Sequence, residues 1–265
     1  MFELRHDSEN DMLETYPQPS KESLPKYYKS EDYISHTDTK RNLFEWAYHL
    51  VRKTTLKSKL SLLETFNIDA KNLLDVGCGT GDFLLAAKNN DWNISGVEPD
   101  EKAREIANEK TNNSVYGIEK LLNFDKHSFD VITLWHVLEH LPELEENISV
   151  FKSLLKPNGR LVIAVPNFKS YDAIFYKENW AAFDAPRHLW HFSQTSIKKM
   201  FGKIKMEIEQ TLPLKFDAYY VSLLSEKYKT GWMNFIRAYF VGARSNMKAR
   251  FSGEYSSLIY VVKNC

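Results

Sequence analysis

Cysteine is nearly absent from this chain: two in 265 residues, too few for a disulfide framework. Cys78 sits inside a glycine-rich turn and Cys265 is the last residue, so a reducing cytoplasm is the expected compartment. No stretch reaches the roughly 18 apolar residues that a membrane-spanning helix needs. The opening MFELRHDSEN lacks the apolar core of a secretory leader. An excess of one charge is missing too. Thirty-five Lys and Arg balance thirty-five Asp and Glu, which argues against a nucleic-acid partner. Internal repeats and low-complexity tracts are also lacking. What remains is ordinary globular composition, 43% apolar and 26% charged, with aromatics high at 14%. Many of those aromatics fall outside the expected core strands, which points to a pocket or an interface.

Residues 1–30 are polar and broken by Pro17, Pro19 and Pro25, and read as an extended arm. Residues 40–66 carry Leu43, Ala47, Leu50 and Val51 at helical spacing. From there strands and helices alternate: strand 71–77, helix 82–90 opened by Asp82 as a cap, strand 93–99, helix 100–110, strand 114–117, a fourth strand from 129, helix 143–159 ended by Lys156-Pro157-Asn158-Gly159, and strand 160–167. Such alternation predicts a parallel sheet covered on both faces. An aromatic insertion follows at 169–193, then helix 193–204, strand 205–214, a helical stretch over about 216–250, and strand 256–264. The expected division is an N-terminal arm and helical cap over 1–66 and a ligand-binding α/β domain over 67–265.

DVGCGTG (75–81) follows a strand and opens a helix. Gly77, Gly79 and Gly81 permit a tight turn and close approach of backbone to a ligand. The spacing is G-x-G-x-G, which differs from the dinucleotide G-x-G-x-x-G, and no Gly-Lys-Ser/Thr follows to make a P-loop. Glu98 ends the second strand about twenty residues on, where a carboxylate can accept both hydroxyls of a ribose. A nicotinamide oxidoreductase on the same nucleotide fold is therefore a competing reading, disfavoured by the glycine spacing. Cys78 reads as a small filler of the loop, since no base is specified beside it.

WHVLEH (135–140) spells H-x-x-E-H with His136, Glu139 and His140. On a helix that pattern can hold zinc in a metalloprotease. Its position directly after a fourth parallel strand argues otherwise, because the carboxyl edge of an open α/β sheet is where ligands bind.

LLDVGCGTGDFL with GVEPD resembles the glycine motif and second-strand acid of class I S-adenosylmethionine (SAM) dependent methyltransferases. FDVITLWHVLEHL and LKPNGRLVIAVPN resemble the fourth and fifth strands of that family. The likeness covers about residues 70–170 and is closest to the small-molecule branch that includes the ubiquinone-biosynthesis O-methyltransferases. It implies a Rossmann-like fold, a seven-stranded, mostly parallel sheet with helices on both faces and the final strand antiparallel. It implies SAM as cofactor, with Asp75 near the methionine end, Gly77, Cys78, Gly79 and Gly81 as the cradle, Glu98 and Pro99 at the ribose, and Gly117 and Ile118 flanking the adenine. Leu134, Trp135 and His136 would lie beside the sulfonium, with Glu139 and His140 starting the following helix. In the ubiquinone branch two carboxylates and a His at this place are implied to hold magnesium. This chain has His136 where the first carboxylate would be, so no metal is expected.

The reaction expected is methyl transfer to a small molecule, at oxygen. Proximity and alignment supply most of the acceleration in such a displacement, and an oxygen acceptor also needs a base. His136 is the first candidate for that base and His188 the second. NWAAFDAPRHLWHFS (179–193) resembles a stretch of uncharacterised relatives in which Asp184, Arg187, His188 and Trp190 would rim the acceptor pocket. YYKSEDYISH (27–36) reads either as a lid, with Tyr28, Tyr33 and His36 facing the cofactor, or as an arm packed on the surface. The stretch 227–253, six basic residues and no acid interleaved with aromatics, is expected to pack over the pocket or at a homodimer interface, with membrane contact the less favoured use. A SAM-binding protein without transferase activity, a sensor or assembly partner, is the alternative, since intact Asp75, Gly77, Gly79 and Glu98 argue only for binding.

Overall fold

The structure is a computed structural model that describes residues 2–20, 22–28 and 43–265. In chain order its elements are β1 (Glu3–Asp7), β2 (Met12–Tyr16), α1 (Leu43–Glu64), β3 (Asn72–Val76), α2 (Asp82–Lys88), β4 (Asn93–Val97), α3 (Glu101–Thr111), β5 (Val115–Tyr116), β6 (Phe129–Trp135), α4 (Leu144–Leu154), β7 (Leu155–Pro166), α5 (Tyr171–Tyr176), β8 (Trp190–His191), α6 (Gln194–Lys203), β9 (Met206–Pro213), α7 (Asp217–Thr230), α8 (Phe235–Ser252) and β10 (Ser257–Asn264). Seven strands form the main sheet in the order β5-β4-β3-β6-β7-β10-β9. β3 runs parallel to β4 and to β6, whereas β9 and β10 pair antiparallel. The alternating pattern predicts a parallel sheet, and the seven strands with an antiparallel end are those that the resemblance implies.

The chain divides into two compact units. One comprises residues 29–135 and 148–161. Its strands β3 and β6 are largely apolar because both faces are covered, with Asp75 and Thr133 as buried polar exceptions. Leu73, Leu74, Val76, Val131, Ile132 and Leu134 are all buried. Local chemistry fixes its helix ends. Asp100 caps α3 by accepting from the Ala103 amide at 2.8 Å, and Asn112 closes it in a left-handed conformation.

The other unit comprises residues 1–28, 136–147 and 162–265. Ser193 and Ser196 form a reciprocal capping box at the start of α6. Asp172 is fully buried and accepts hydrogen bonds from Trp180 Nε1 (2.8 Å), Ser245 Oγ (2.6 Å) and Ser256 Oγ (2.7 Å). A buried carboxylate this well satisfied ties the aromatic insertion to α8 and to the entry of β10.

Several local expectations change. The extended arm over 1–30 gives way to a hairpin: β1 and β2 pair antiparallel, and β2 continues onto β8 in a second, three-stranded sheet. Asp82 is not the cap of α2. Gly81 holds that position in a left-handed conformation, while the Asp82 carboxylate takes Lys110 Nζ at 2.8 Å. The helix expected over 143–159 stops at Leu154, and Pro157 lies inside a twelve-residue β7. Proline lacks the amide that would continue a helix, and the chain extends before reaching it. The helical stretch over 216–250 is two helices, broken at Gly231 with φ +83°. Tyr33 and His36, proposed for a lid, lie outside the described residues.

Candidate active site

Two groups of side chains carry chemistry, one in each unit. The first is the glycine turn after β3. Gly77, Gly79 and Gly81 have φ of +67°, +54° and +77°, conformations that L side chains rarely adopt. The roles of the last two differ. A Cβ on Gly81 would stand 2.9 Å from Ala107 Cβ, so this glycine lets α2 and α3 pack closely. A Cβ on Gly79 would meet nothing within 4 Å, so that position faces open space.

Glu98, buried at the end of β4, organises the turn. Its Oε2 accepts from the Gly79 amide at 2.8 Å and its Oε1 from the Asp100 amide at 3.0 Å. Each carboxylate oxygen offers two lone pairs, so these bonds leave capacity for two ligand hydroxyls. Burial raises its pKa, opposed by those two amides. Arg104 donates to the Glu98 and Pro99 carbonyls and fixes the strand exit.

Asp75 is buried within β3, and burial pushes it up to about 7 against a hydrogen bond from Thr133 at 2.6 Å and the positive charge of Lys59. Thr133 is also its parallel register partner on β6. Cys78 is half-buried and feels the charges of Asp75 and Glu98. Desolvation and those two charges raise its thiol pKa, so it is no nucleophile. Leu134 is wholly buried. Trp135 packs edge-on to Phe83 at 5.5 Å with Lys59 Nζ 4.2 Å from its ring centre, and its buried Nε1 has no hydrogen-bond partner among the described residues. Gly117 precedes a 3₁₀ turn over 118–123 that leaves Ile118 exposed.

The second group lies in the other unit. His136 adopts φ +57°. Its Nε2 lies 3.2 Å from Asp217 Oδ2 and its Nδ1 3.4 Å from Glu139 Oε1. Burial opposes its charge, but the two carboxylates outweigh this and raise its pKa to about 10. Glu139 is buried, and neither of its oxygens is hydrogen-bonded among the described residues; although burial works the other way, His136 holds its pKa down to about 2.

His188 is also buried, and desolvation lowers its pKa. Its Nδ1 lies 2.8 Å from the Ala182 carbonyl, an arrangement in which Nδ1 carries the proton and Nε2 keeps the lone pair. His140 packs edge-on against it at 4.4 Å between ring centres. Nδ1 of His140 is 2.9 Å from the Tyr28 hydroxyl and 3.1 Å from the Arg187 carbonyl, and burial lowers it to about 4. His191 falls to about 3 for the same reason, with Thr15 Oγ1 at 3.1 Å from its Nε2. Asp184 and Arg187 are paired at 2.8 Å, and Trp190 Nε1 donates to the Leu141 carbonyl.

The helix required for an H-x-x-E-H metalloprotease is missing. Residues 138–140 are a single 3₁₀ turn and the following α-helix starts at Leu144, so Glu139 and His140 do not open it. Glu139, His140 and His188 nevertheless offer ligand atoms within 4.8 Å of one another. Two imidazoles and one carboxylate suit a transition metal, whereas magnesium demands oxygen ligands. The residues therefore do not fit the magnesium ion that the ubiquinone branch implies.

Sequence reading missed four partners: Thr133, Lys59, Asp217 and Thr15. Thr133 was discoverable from the β3–β6 register. Asp217 stands 78 residues from Glu139 with no local motif to mark it.

The methyltransferase-domain family matches residues 48–211, more than half of the chain. A ubiquinone biosynthesis O-methyltransferase of Coxiella burnetii is 29% identical over 131 residues, 46% of this chain and 55% of that protein. A demethylmenaquinone methyltransferase of Staphylococcus aureus is 29% identical over 150 residues, 51% of this chain and 56% of that protein. The chain thus spans about half the length of these curated relatives. In fold it is similar to magnesium protoporphyrin IX methyltransferase from Synechocystis with bound SAH (S-adenosylhomocysteine), with TM-score 0.61 and 17% identity over 93% of this chain and 100% of that one. With the glycine turn, the strand-end acid and the sheet order in place, the chain belongs to the methyltransferase-domain family, whose relatives and fold neighbours are SAM-dependent methyltransferases.

Proposed function

We propose that this protein transfers a methyl group from SAM to an oxygen of a small-molecule acceptor. The observation that carries the reading is Glu98 bonded to the Gly79 amide at 2.8 Å beside a glycine that faces open space. A carboxylate so placed suits a ribose diol, and a left-handed glycine backbone suits close approach of a nucleoside. When bound, SAM supplies an activated methyl on a sulfonium. Asp75 and Glu98 bring carboxylates to the cationic donor and its sugar, and Gly117 and Ile118 flank the adenine.

Of the two candidate bases, His188 fits the task. A neutral imidazole with Nδ1 pinned to a carbonyl presents a basic Nε2, and it takes the proton from the acceptor hydroxyl. His136 holds its own proton at neutral pH and cannot serve as base. Both of its ring nitrogens face carboxylates, so as an imidazolium it holds Asp217 and Glu139 in place. The relatives named for quinone biosynthesis support a small-molecule acceptor.

The test is turnover. Purified protein is given methyl-labelled SAM and a panel of phenols, quinols and carboxylic acids, with wild type compared to His188→Gln. Label in a phenolic or quinolic ether, lost in the variant, supports the proposal. Label on nitrogen or carbon would overturn the oxygen assignment. SAH binding with no transfer to any acceptor would favour the binding-only alternative.

A further inference from the structure

α8 is built inside out. Its buried side chains are small: Ala238, Val241, Gly242, Ser245 and Ala249. They let the helix lie close on α7, since a Cβ on Gly242 would stand 2.8 Å from the Tyr219 ring and 3.0 Å from the Ala218 carbonyl oxygen. Its large apolar side chains point to solvent instead. Ile236 is 73% exposed, Phe240 66%, Met247 56% and Phe251 91%. At about 100° per residue these four fall within roughly 60° of arc, opposite the small-residue face. Trp232, in the turn before α8, is 61% exposed and adjoins them across a groove of about 570 Å³ that Phe175 and Val241 also line.

The charges sort in the same way. Residues 227–253 hold Lys227, Lys229, Arg237, Arg244, Lys248 and Arg250 and no acid. Arg244 and Arg237 line the groove. Lys248 Nζ lies 4.3 Å from the centre of the Tyr171 ring, and Arg237 and Lys229 stand 5.7 Å from that of Phe175. Cations with apolar stems beside an exposed aromatic stripe form the pattern of a helix that lies in a headgroup region, apolar face down and basic side chains reaching phosphates. No helix among the described residues is long and apolar enough to cross a membrane.

We propose that the exposed face of α8, with Trp232, docks onto a bilayer surface bearing anionic phospholipid. Charge decides among the occupants. Arg237 is paired with buried Glu226 at 3.2 Å, but Arg244, Lys248 and Arg250 of α8 would face their own copies in a second chain, and like charges at an interface are repulsive. A bilayer offers continuous apolar depth and a layer of negative headgroups, which matches both parts of the face. This inference stands on α8 and the residues that border its exposed face, and does not depend on the methyl-transfer reading.

The experiment is co-sedimentation of the full chain with phosphatidylcholine vesicles and with vesicles that also contain phosphatidylglycerol. Wild type is expected to partition onto the anionic vesicles about tenfold or more over the neutral ones, and to be released by high salt. Two variants probe the two halves of the argument: Ile236→Asp with Phe240→Asp, and Arg244→Glu with Lys248→Glu. Each should reduce partition about tenfold or more while circular dichroism and melting stay at wild-type values. If the first pair fails to fold, Phe251→Asp at the far end of the helix replaces it. Folded wild type that stays in the supernatant with anionic vesicles overturns the proposal. So does partition that survives the Ile236 and Phe240 changes, which would be charge attraction alone. A dimer in solution that those changes dissociate, without vesicle capture, assigns the face to a second copy and likewise overturns it.

Discussion

The glycine cradle and the histidine group are built on opposite plans. The cradle is made mostly within one short span, residues 75–100, and chiefly from backbone: three left-handed glycines, a strand end and two carboxylates, Glu98 satisfied by amides and Asp75 by Thr133 from β6. The histidine group is made of side chains from distant places, with Thr15, Tyr28, His136, Glu139, His140, Asp184, His188, His191 and Asp217 brought together by the tertiary fold. The first plan presents a fixed surface and the second a set of protonation states. This difference matches the proposed division of labour between holding a donor and handling a proton.

The sharpest way to break that division is His188→Gln. Turnover should fall about 10²- to 10⁴-fold, the range for a lost general base, while SAH affinity stays unchanged. Steady-state kinetics beside calorimetry separates the two, and an equal loss in both would dissolve the distinction.

Acid should act on the two groups in opposite senses: Asp75, raised to about 7, takes up a proton in the folded chain and gains stability as pH falls from 7 towards 4. His140 and His191 are held neutral by burial, at about 4 and about 3. Below their unfolded pKa of about 6.5 the unfolded chain binds the extra protons, so stability falls as pH drops from 6.5 towards 4. His136 acts in the opposite sense. Its folded value of about 10 lies above the unfolded one, so its contribution is full below pH 6.5 and is lost as pH rises through 10. Two imidazoles stand against the one Asp75 carboxyl, so urea unfolding across this range should show a maximum near neutrality, with a net loss of about 1–2 kcal/mol by pH 4.5. A flat profile from 7 to 4.5 would contradict the buried neutral imidazoles.

Glu98→Ala reverses the first comparison. SAH binding should weaken about 10- to 100-fold, the worth of hydrogen bonds to a charged group. The smallest effect is expected at Gly81→Ala, about 1–2 kcal/mol of stability by thermal melting, from its left-handed φ and the contact with Ala107. The same change at Gly79 should cost less through packing and more through ligand affinity.

What could be read in the sequence follows the same line. The cradle and the sheet were legible because their determinants are local: DVGCGTG, Glu98 at the next strand end, and the regular alternation of short apolar strands with helices. The proton chemistry of the histidine group was not. His136 was favoured as base from its place after β6, but its charge state is set by Asp217, a residue no spacing connects to it. The hairpin over Glu3–Tyr16 escaped notice because its strands are half-exposed and gain order by pairing with β8. The stripe in 227–253 was visible, but its orientation was not. Small residues can be judged to face inward only once α7 is known to lie against them.

The central claim is that the glycine turn and Glu98 hold SAM independently of the histidine group. Calorimetric titration of SAH into wild type, Glu98→Ala and His188→Gln tests it most directly. The account predicts micromolar binding by wild type, the same by His188→Gln, and a 10- to 100-fold loss in Glu98→Ala. Absence of binding by folded wild type, or undiminished binding by Glu98→Ala, would contradict it.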